Sequence, residues 1–114
     1  MIVVDSSALL AIALNEPEKA AFAADIIGSI RPRIGAPNFS EASMVVESLE
    51  LDIVAFDARH ITEARRAFRL YGRGRHRAAL NFGDCLAYAL ARTLDMPLLF
   101  KGDDFSLTDI KRVR

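Results

Sequence analysis

The stretch that decides the fold runs from Asn81 to Leu94 and reads Asn-Phe-Gly-Asp-Cys-Leu-Ala-Tyr-Ala-Leu-Ala-Arg-Thr-Leu. Asn81 occupies an N-cap position, and the apolar residues after it recur at helical spacing, which predicts a largely buried helix: Phe82, Cys85, Leu86, Ala89, Leu90 and Leu94. Asp84 falls inside this apolar run, where an unpaired carboxylate is costly to bury. The helix N-terminus would stabilise its charge, and so would a metal ion, so this stretch alone leaves both roles open.

Length and composition limit the classes of protein to which this chain can belong. The chain has 114 residues, which suits one domain over 1–114, and 52% of them are hydrophobic, enough for a substantial core. A formal net charge of zero argues against binding nucleic acid through bulk charge alone. The single cysteine, Cys85, excludes an internal disulfide and is expected in the core. No membrane span or signal peptide is apparent, so we expect a soluble cytoplasmic protein.

Short apolar runs alternate with helical patterns in the order β-α-α-β-α-β-α-α-β. The strands are predicted at residues 2–4, 33–36, 52–56 and 96–100, and the third helix is predicted to begin at Asn38 or Ser40. Strands that alternate with helices imply a parallel sheet with helices on both faces. The sequence therefore predicts an α/β fold with a short central parallel sheet of about four strands.

Acidic residues from distant parts of the chain follow the predicted strand ends or begin the next helix: Asp5, Glu41, Asp84 and the pair Asp103 and Asp104. Each of them alone would be an ordinary cap or loop charge. Because the carboxyl ends of parallel strands share one edge of a sheet, we expect these acids to lie close together. Mg²⁺ and Mn²⁺ prefer oxygen ligands, so the sequence predicts a site for a hard divalent cation.

A basic loop at residues 71–77 precedes the Asp84 helix and reads Tyr-Gly-Arg-Gly-Arg-His-Arg. Most basic loops are only solvated surface. Its position makes Arg73 and Arg75 candidate contacts to RNA or to an acidic group of a partner, with Lys101 as a further candidate phosphate contact. We expect His76 at the surface rather than on a metal.

Several stretches together resemble PIN-domain proteins and, more closely, the VapC-type ribonuclease toxins of bacterial toxin–antitoxin pairs. They are Met-Ile-Val-Val-Asp-Ser-Ser-Ala-Leu at 1–9, Glu-Ala-Ser at 41–43, Tyr-Gly-Arg-Gly-Arg-His at 71–76, Leu-Asn-Phe-Gly-Asp-Cys at 80–85 and Leu-Leu-Phe-Lys-Gly-Asp-Asp-Phe at 98–105. The resemblance covers nearly the whole chain. It implies a PIN-like three-layer α/β/α fold and a Mg²⁺-dependent endoribonuclease, with Mn²⁺ as a substitute ion.

The acidic cluster of that family carries over onto Asp5, Glu41 and Asp84. The fourth acid comes from the Asp103–Asp104 pair, and the Asp-Phe pairing with the next residue favours Asp104. The resemblance also implies a homodimer and inhibition by a cognate antitoxin whose basic side chain enters the acidic pocket.

Two further polar residues are assigned supporting roles. Ser6 stands where the family commonly has threonine, and either hydroxyl can hydrogen-bond a ligating carboxylate or a water. Asn81, beside the acidic helix start, is a second candidate for such an outer contact with the metal site or the RNA.

One departure from the family concerns the third crossover. Relatives usually carry a further helical arm of roughly 15–20 residues between the third helix and the third strand, and here the helix runs almost directly into the strand. Either the arm is deleted in this chain, or a disordered segment has been left out and the remaining residues are numbered consecutively. We predict a chain break or a strained link between about Ser48 and Leu51.

Two other functions stay open. A PIN-like binding module without catalysis is one, although the complete set of acids argues against it. A receiver-like phosphoacceptor is the other, because Asp57 follows the third strand and Lys101 follows the last. That alternative requires paired acids after the first strand, which offers only Asp5, and it leaves Asp84 unexplained.

Overall fold

A four-stranded parallel sheet organises the part of the chain that the structure describes. The computed structural model describes residues 1–43 and 49–114, apart from the side chain of Glu41. The strands are β1 (Val3–Val4), β2 (Arg33–Gly35), β3 (Asp52–Val54) and β4 (Leu98–Leu99). Their order is β3-β2-β1-β4, and each neighbouring pair is parallel. The predicted sheet is confirmed.

The helices follow the predicted order. They are α1 (Ser6–Ala13), α2 (Lys19–Ile27), α3 (Ala36–Ala42), α4 (Ala58–Tyr71) and α5 (Phe82–Leu94), and a short 3₁₀ turn spans Phe105–Leu107. The expected start of α3 at Asn38 or Ser40 is wrong, because the helix already begins at Ala36. Pro37 suits this first turn, since a helix leaves its first N–H groups unpaired in any case.

Helices cover both faces of the sheet. Val3 and Leu98 face one core and Val4 and Leu99 face the other, because successive strand residues point to opposite faces. The first core includes Tyr88, Leu90 and Cys85 of α5, and the second includes Leu9 of α1 and Phe22 of α2. The predicted three-layer α/β/α arrangement is confirmed.

The end of the chain extends the sheet beside β4, where no strand was predicted. The Leu98 N–H donates to the Lys111 carbonyl at 2.8 Å, and the Val113 N–H donates to the Leu98 carbonyl at 3.1 Å. The Arg114 guanidinium then donates to the Asp25 carboxylate at 2.5 and 3.0 Å. These contacts fasten the C-terminal segment to β4 and to α2.

The predicted break or strained link between about Ser48 and Leu51 lies partly outside the described residues, and it stays a prediction. Leu49 and Leu51, on the described side, pack against the core that α1 and α2 form. The Asp52 N–H donates to the Pro32 carbonyl at 2.8 Å, which sets the start of β3 beside β2. None of the helices in the described ranges is long and apolar enough to cross a membrane.

Candidate functional site

Asp5 leaves the end of β1 and caps α1. Its carboxylate is only 3% exposed, and Oδ2 accepts hydrogen bonds from Ser7 N at 3.1 Å and from Ser7 Oγ at 2.5 Å. Ser7 Oγ in turn accepts the Lys101 N–H at 3.0 Å. Sequence analysis assigned the supporting hydroxyl to Ser6, but the structure places the Ser7 hydroxyl on Asp5. Ser7 therefore connects the first acid to the turn that follows β4.

Asp84 lies in the first turn of α5 and forms a capping box with Asn81. Asn81 Oδ1 accepts the Asp84 N–H at 2.9 Å, and Asp84 Oδ2 accepts the Asn81 N–H at 3.0 Å. Two details of the helix prediction are wrong: Asp84 is only half-buried, and Phe82 is 80% exposed. The buried part of α5 begins at Cys85, after the first turn of the helix.

Asn38 joins the two halves of the site. It is 1% exposed, and its Nδ2 donates to the Gly83 carbonyl at 3.2 Å, so α3 is tied to the first turn of α5. The pairing of β1 with β2 places Gly35 level with Asp5 on the neighbouring strand. A Cβ on Gly35 would lie 3.5 Å from Asn38 Oδ1, so Asn38 sits above this strand end. Glu41 follows Asn38 by three residues on α3.

The Asp103–Asp104 pair lies in the exposed turn after β4. Gly102 has φ +101°, a conformation that glycine adopts without strain, and the Asp103 carbonyl accepts the Ser106 N–H at 3.1 Å. Asp103 also lines a hollow with Glu18 and Arg112, on the side of α2. Asp104, whose side chain does not line that hollow, remains the better candidate for the fourth acid.

The oxygen atoms of this site are of the kind that bind a hard cation, although the described side chains alone do not form a complete metal-binding cluster. No three His, Cys, Asp or Glu side chains in the described ranges stand close enough to hold a metal, and the Glu41 side chain is not among the described ones. Asp5 and Asp84 offer carboxylate oxygens, and Asn38 Oδ1 is buried without a hydrogen-bond partner in the described part of the chain. Such oxygen donors suit Mg²⁺ or Mn²⁺.

The basic loop leads directly into the start of α5. The Leu80 N–H donates to the Tyr71 carbonyl at 2.9 Å and the Arg73 N–H donates to the Leu80 carbonyl at 3.0 Å, which closes the loop. Arg73 and Arg75 are exposed, and the Arg75 guanidinium lies over an aromatic ring of α4. His76 Nδ1 accepts the Ala78 N–H at 3.0 Å, so this imidazole shapes the loop.

Lys101, the third candidate for phosphate contact, is half-buried and engaged in ion pairs. Its ammonium pairs with the Glu16 and Glu18 carboxylates in the connection between α1 and α2, the latter at 3.1 Å. Its backbone N–H donates to Ser7 Oγ. This side chain is therefore placed to fix the turn after β4 against α1.

Cys85 is a core residue, as its position on the apolar face predicted. Burial, together with the smaller effect of the nearby negative charge of Asp84, raises the pKa of its thiol to about 11. Because the thiolate is the nucleophilic form of cysteine, Cys85 is inert at neutral pH. Cys85 is therefore not a candidate nucleophile of this site.

Comparison with known proteins gives one family. The sequence model of the PIN domain matches residues 31–111. A Ribonuclease VapC of Mycolicibacterium smegmatis is 41% identical over 127 residues, covering 97% of this chain and 98% of the relative. Ribonuclease VapC30 of Mycobacterium tuberculosis is 39% identical, with 97% of each chain covered. These alignments span more positions than the 114 residues of this chain, so the relatives carry residues that have no counterpart in it.

Proposed function

We infer that this chain, which belongs to the PIN-domain family and to its VapC group, is an endoribonuclease that hydrolyses phosphodiester bonds in RNA with Mg²⁺ or Mn²⁺. One observation carries the proposal. Asn38 bonds to Gly83, the residue before Asp84, and lies next to Gly35, which the pairing of β1 with β2 sets level with Asp5. The relatives named as ribonucleases support the substrate class.

Asp5, Glu41 and Asp84 are the proposed metal-binding and catalytic carboxylates, holding the ion directly or through water. Asp104, rather than Asp103, is the proposed fourth acid, which positions the metal or the attacking water. A bound divalent ion supplies Lewis-acid chemistry: it acidifies water and stabilises the charge that develops at the phosphate.

The surrounding polar residues hold these carboxylates in place. Ser7 fixes the rotamer of Asp5 through a hydroxyl hydrogen bond, and Asn81 fixes the start of α5 around Asp84. Ser6, next to Asp5 and buried, stays a proposed outer contact to water at the site. Lys101 contributes by anchoring the turn that carries Asp104.

Arg73 and Arg75 are the proposed contacts to RNA phosphates. Both are exposed on the loop that leads into α5, and the zero net charge of the chain leaves little attraction for nucleic acid elsewhere. Recognition of a structured RNA, gripped locally next to the acids, fits this distribution better than indiscriminate binding.

The family also supports a biological setting. We propose a cytoplasmic toxin of a toxin–antitoxin pair, a single domain over 1–114 that lacks the usual helical arm, forms a homodimer and is inhibited by a cognate antitoxin. Light scattering on the purified chain, alone and with the antitoxin, tests the dimer and the complex.

The receiver-like alternative loses support from the strand order. Flavodoxin-like domains have the order 2-1-3-4-5, whereas β3 lies here at the edge of the described sheet beside β2. Asp57, the candidate phosphoacceptor, caps α4 by accepting the Arg59 N–H at 2.9 Å.

Cleavage of total bacterial RNA by the purified chain tests the proposed function. The reaction is run with Mg²⁺, with Mn²⁺ and with EDTA, for the wild type, Asp84→Asn and a control, Asp95→Asn. Asp95 ends the same helix with φ +51°, which asparagine tolerates, so the control removes an equal charge far from the site.

Discrete metal-dependent fragments that disappear only in folded Asp84→Asn would support the ribonuclease and its acidic site together. Absence of cleavage by a folded wild type that binds Mn²⁺ would contradict the activity and favour the binding module. Unfolding of Asp84→Asn, detected by circular dichroism, would make the capping role of this residue its main one.

A further inference from the structure

Asn38 is an unusual buried polar residue. Its side chain is 1% exposed, yet only one end of its amide has a hydrogen-bond partner in the described part of the chain. Nδ2 donates to the Gly83 carbonyl, whereas Oδ1 has no donor there. Because nearly all buried polar groups in native proteins are paired, the unpaired Oδ1 calls for a partner that is not part of the described chain.

The orientation of this amide follows from its neighbour. Only the NH₂ group can donate to the Gly83 carbonyl, and the reversed amide would set two acceptor oxygens against each other. Oδ1 therefore points away from Gly83, towards Gly35 at the end of β2. It lies 3.5 Å from the position that a Cβ on Gly35 would take, level with Asp5 on the next strand.

Asn38 also stands between two acid-bearing helices. Glu41 follows it by three residues, a little less than one turn of α3, and Asp84 directly follows its partner Gly83. A hydrogen bond of 3.2 Å thus links the segments that carry these two acids.

We propose that Asn38 is a positioning residue of the metal site. Nδ2 holds the first turn of α5 against α3, and Oδ1 accepts a hydrogen bond from a water molecule that the divalent cation holds. The proposal rests on the proposed function, because it takes the acidic site to bind Mg²⁺ or Mn²⁺. Loss of such an outer contact typically lowers metal affinity about 10- to 100-fold.

Calorimetric titration of Mn²⁺ into the full chain tests this role. Asn38→Ala should raise the Kd for Mn²⁺ by about tenfold or more, because both amide contacts are lost. Ser40→Ala is the matched control, since Ser40 is exposed on the same helix. A residue that only stabilises the fold would lower the melting temperature of the metal-free protein and leave the Kd unchanged.

A second measurement needs no variant and holds even where Asn38→Ala does not fold. During Mg²⁺ titration of the wild type, the side-chain carbonyl ¹³C resonance of Asn38 should shift with the binding curve. The exposed Asn15 provides the control resonance.

Two results would overturn the proposal: a folded Asn38→Ala with a Kd within about twofold of the wild type, or an Asn38 resonance that moves no more than that of Asn15. If the wild type cleaves RNA and binds Mn²⁺, either result refutes the role of Asn38 and leaves the proposed function intact. If the wild type binds no Mn²⁺, both the metal-dependent function and the role of Asn38 are refuted.

Discussion

Replacing Ser7 with alanine should destabilise the protein by about 2 kcal/mol. The hydroxyl donates to Asp5 Oδ2 at 2.5 Å and accepts the Lys101 N–H at 3.0 Å. Asp5 is 3% exposed, so water cannot readily replace this donor. Hydrogen bonds to charged groups contribute about 1.5–3 kcal/mol, and we take a value near the middle because Ser7 N still donates to Asp5 in the variant.

The assay is a double-mutant cycle measured by urea unfolding in EDTA, which keeps metal binding out of the comparison. The four proteins are the wild type, Ser7→Ala, Asp5→Asn and the double variant. Residues in contact show coupling energies of about 0.5–3 kcal/mol, and we expect a value inside that range. In thermal unfolding, the single Ser7→Ala variant should lose about 8 °C in Tm.

Ser6→Ala is the stability control, because the Ser6 hydroxyl makes no hydrogen bond to any residue that the structure describes. It should change the free energy of unfolding by no more than about 0.5 kcal/mol. Additive effects of Ser7→Ala and Asp5→Asn would refute the reasoning, since the hydroxyl would then stabilise the fold independently of the carboxylate. An equal loss of unfolding free energy in Ser6→Ala and Ser7→Ala would show that any such substitution at the start of α1 is destabilising, whether or not it removes the bond to Asp5.

Three further predictions concern the packing around the site. Tyr88→Phe removes a hydroxyl that donates to Asp109 at 2.5 Å and should cost about 1 kcal/mol in urea unfolding; an unchanged midpoint would contradict that hydrogen bond. Because burial raises the pKa of Cys85 to about 11, its alkylation by iodoacetamide should be slow at pH 7.5 and accelerate as the pH rises towards 11, and a fast, pH-independent rate in the folded protein would contradict this. Gly35→Ala places a Cβ 2.6 Å from Phe56 Cε1, so it should cost about 1–3 kcal/mol in thermal unfolding, and an unchanged melting temperature would contradict this.

The order of strands and helices was predictable because local signals agree with the fold. β-Branched runs such as Ile2-Val3-Val4 favour buried strands, and Asn81 and Asp57 are strong N-caps at the helix starts that they mark. The boundaries were less accurate where two signals compete. Asn38 is a good N-cap, yet Pro37 takes the first turn of α3 and leaves Asn38 inside the helix.

The burial of Asp84 and Phe82 was mispredicted for a tertiary reason. Helical periodicity shows which face of α5 is apolar, but it does not show where along its length the sheet begins to cover that face. In the structure the first turn is not covered, so Phe82 is exposed and Asp84 is accessible from solvent. That accessibility is what a metal-binding carboxylate requires, so the error in burial favours the proposed site.

The places of Asp5 at a strand end and of Asp84 in a first helical turn were predictable from topology, whereas their supporting contacts were not. Both Ser6 and Ser7 follow Asp5, and only the geometry of the turn decides that the Ser7 hydroxyl reaches the carboxylate. Asn38 bonds to a carbonyl 45 positions away in the sequence, and no local pattern indicates that contact. Spacing from Glu41, three residues on, was the one available signal.

Capping a helix and binding a metal are compatible roles for the same carboxylate. Asp5 caps α1 and Asp84 belongs to the capping box of α5, and in each the described cap bonds end on Oδ2. A cap fixes the carboxylate rotamer, and the N-terminal end of the helix dipole favours its charged form. Both effects lower the cost of bringing negative charges together before an ion arrives. The alternatives that the sequence posed for Asp84 are therefore compatible: under the proposed function, the helix starts that stabilise the fold would also orient the acids for the metal.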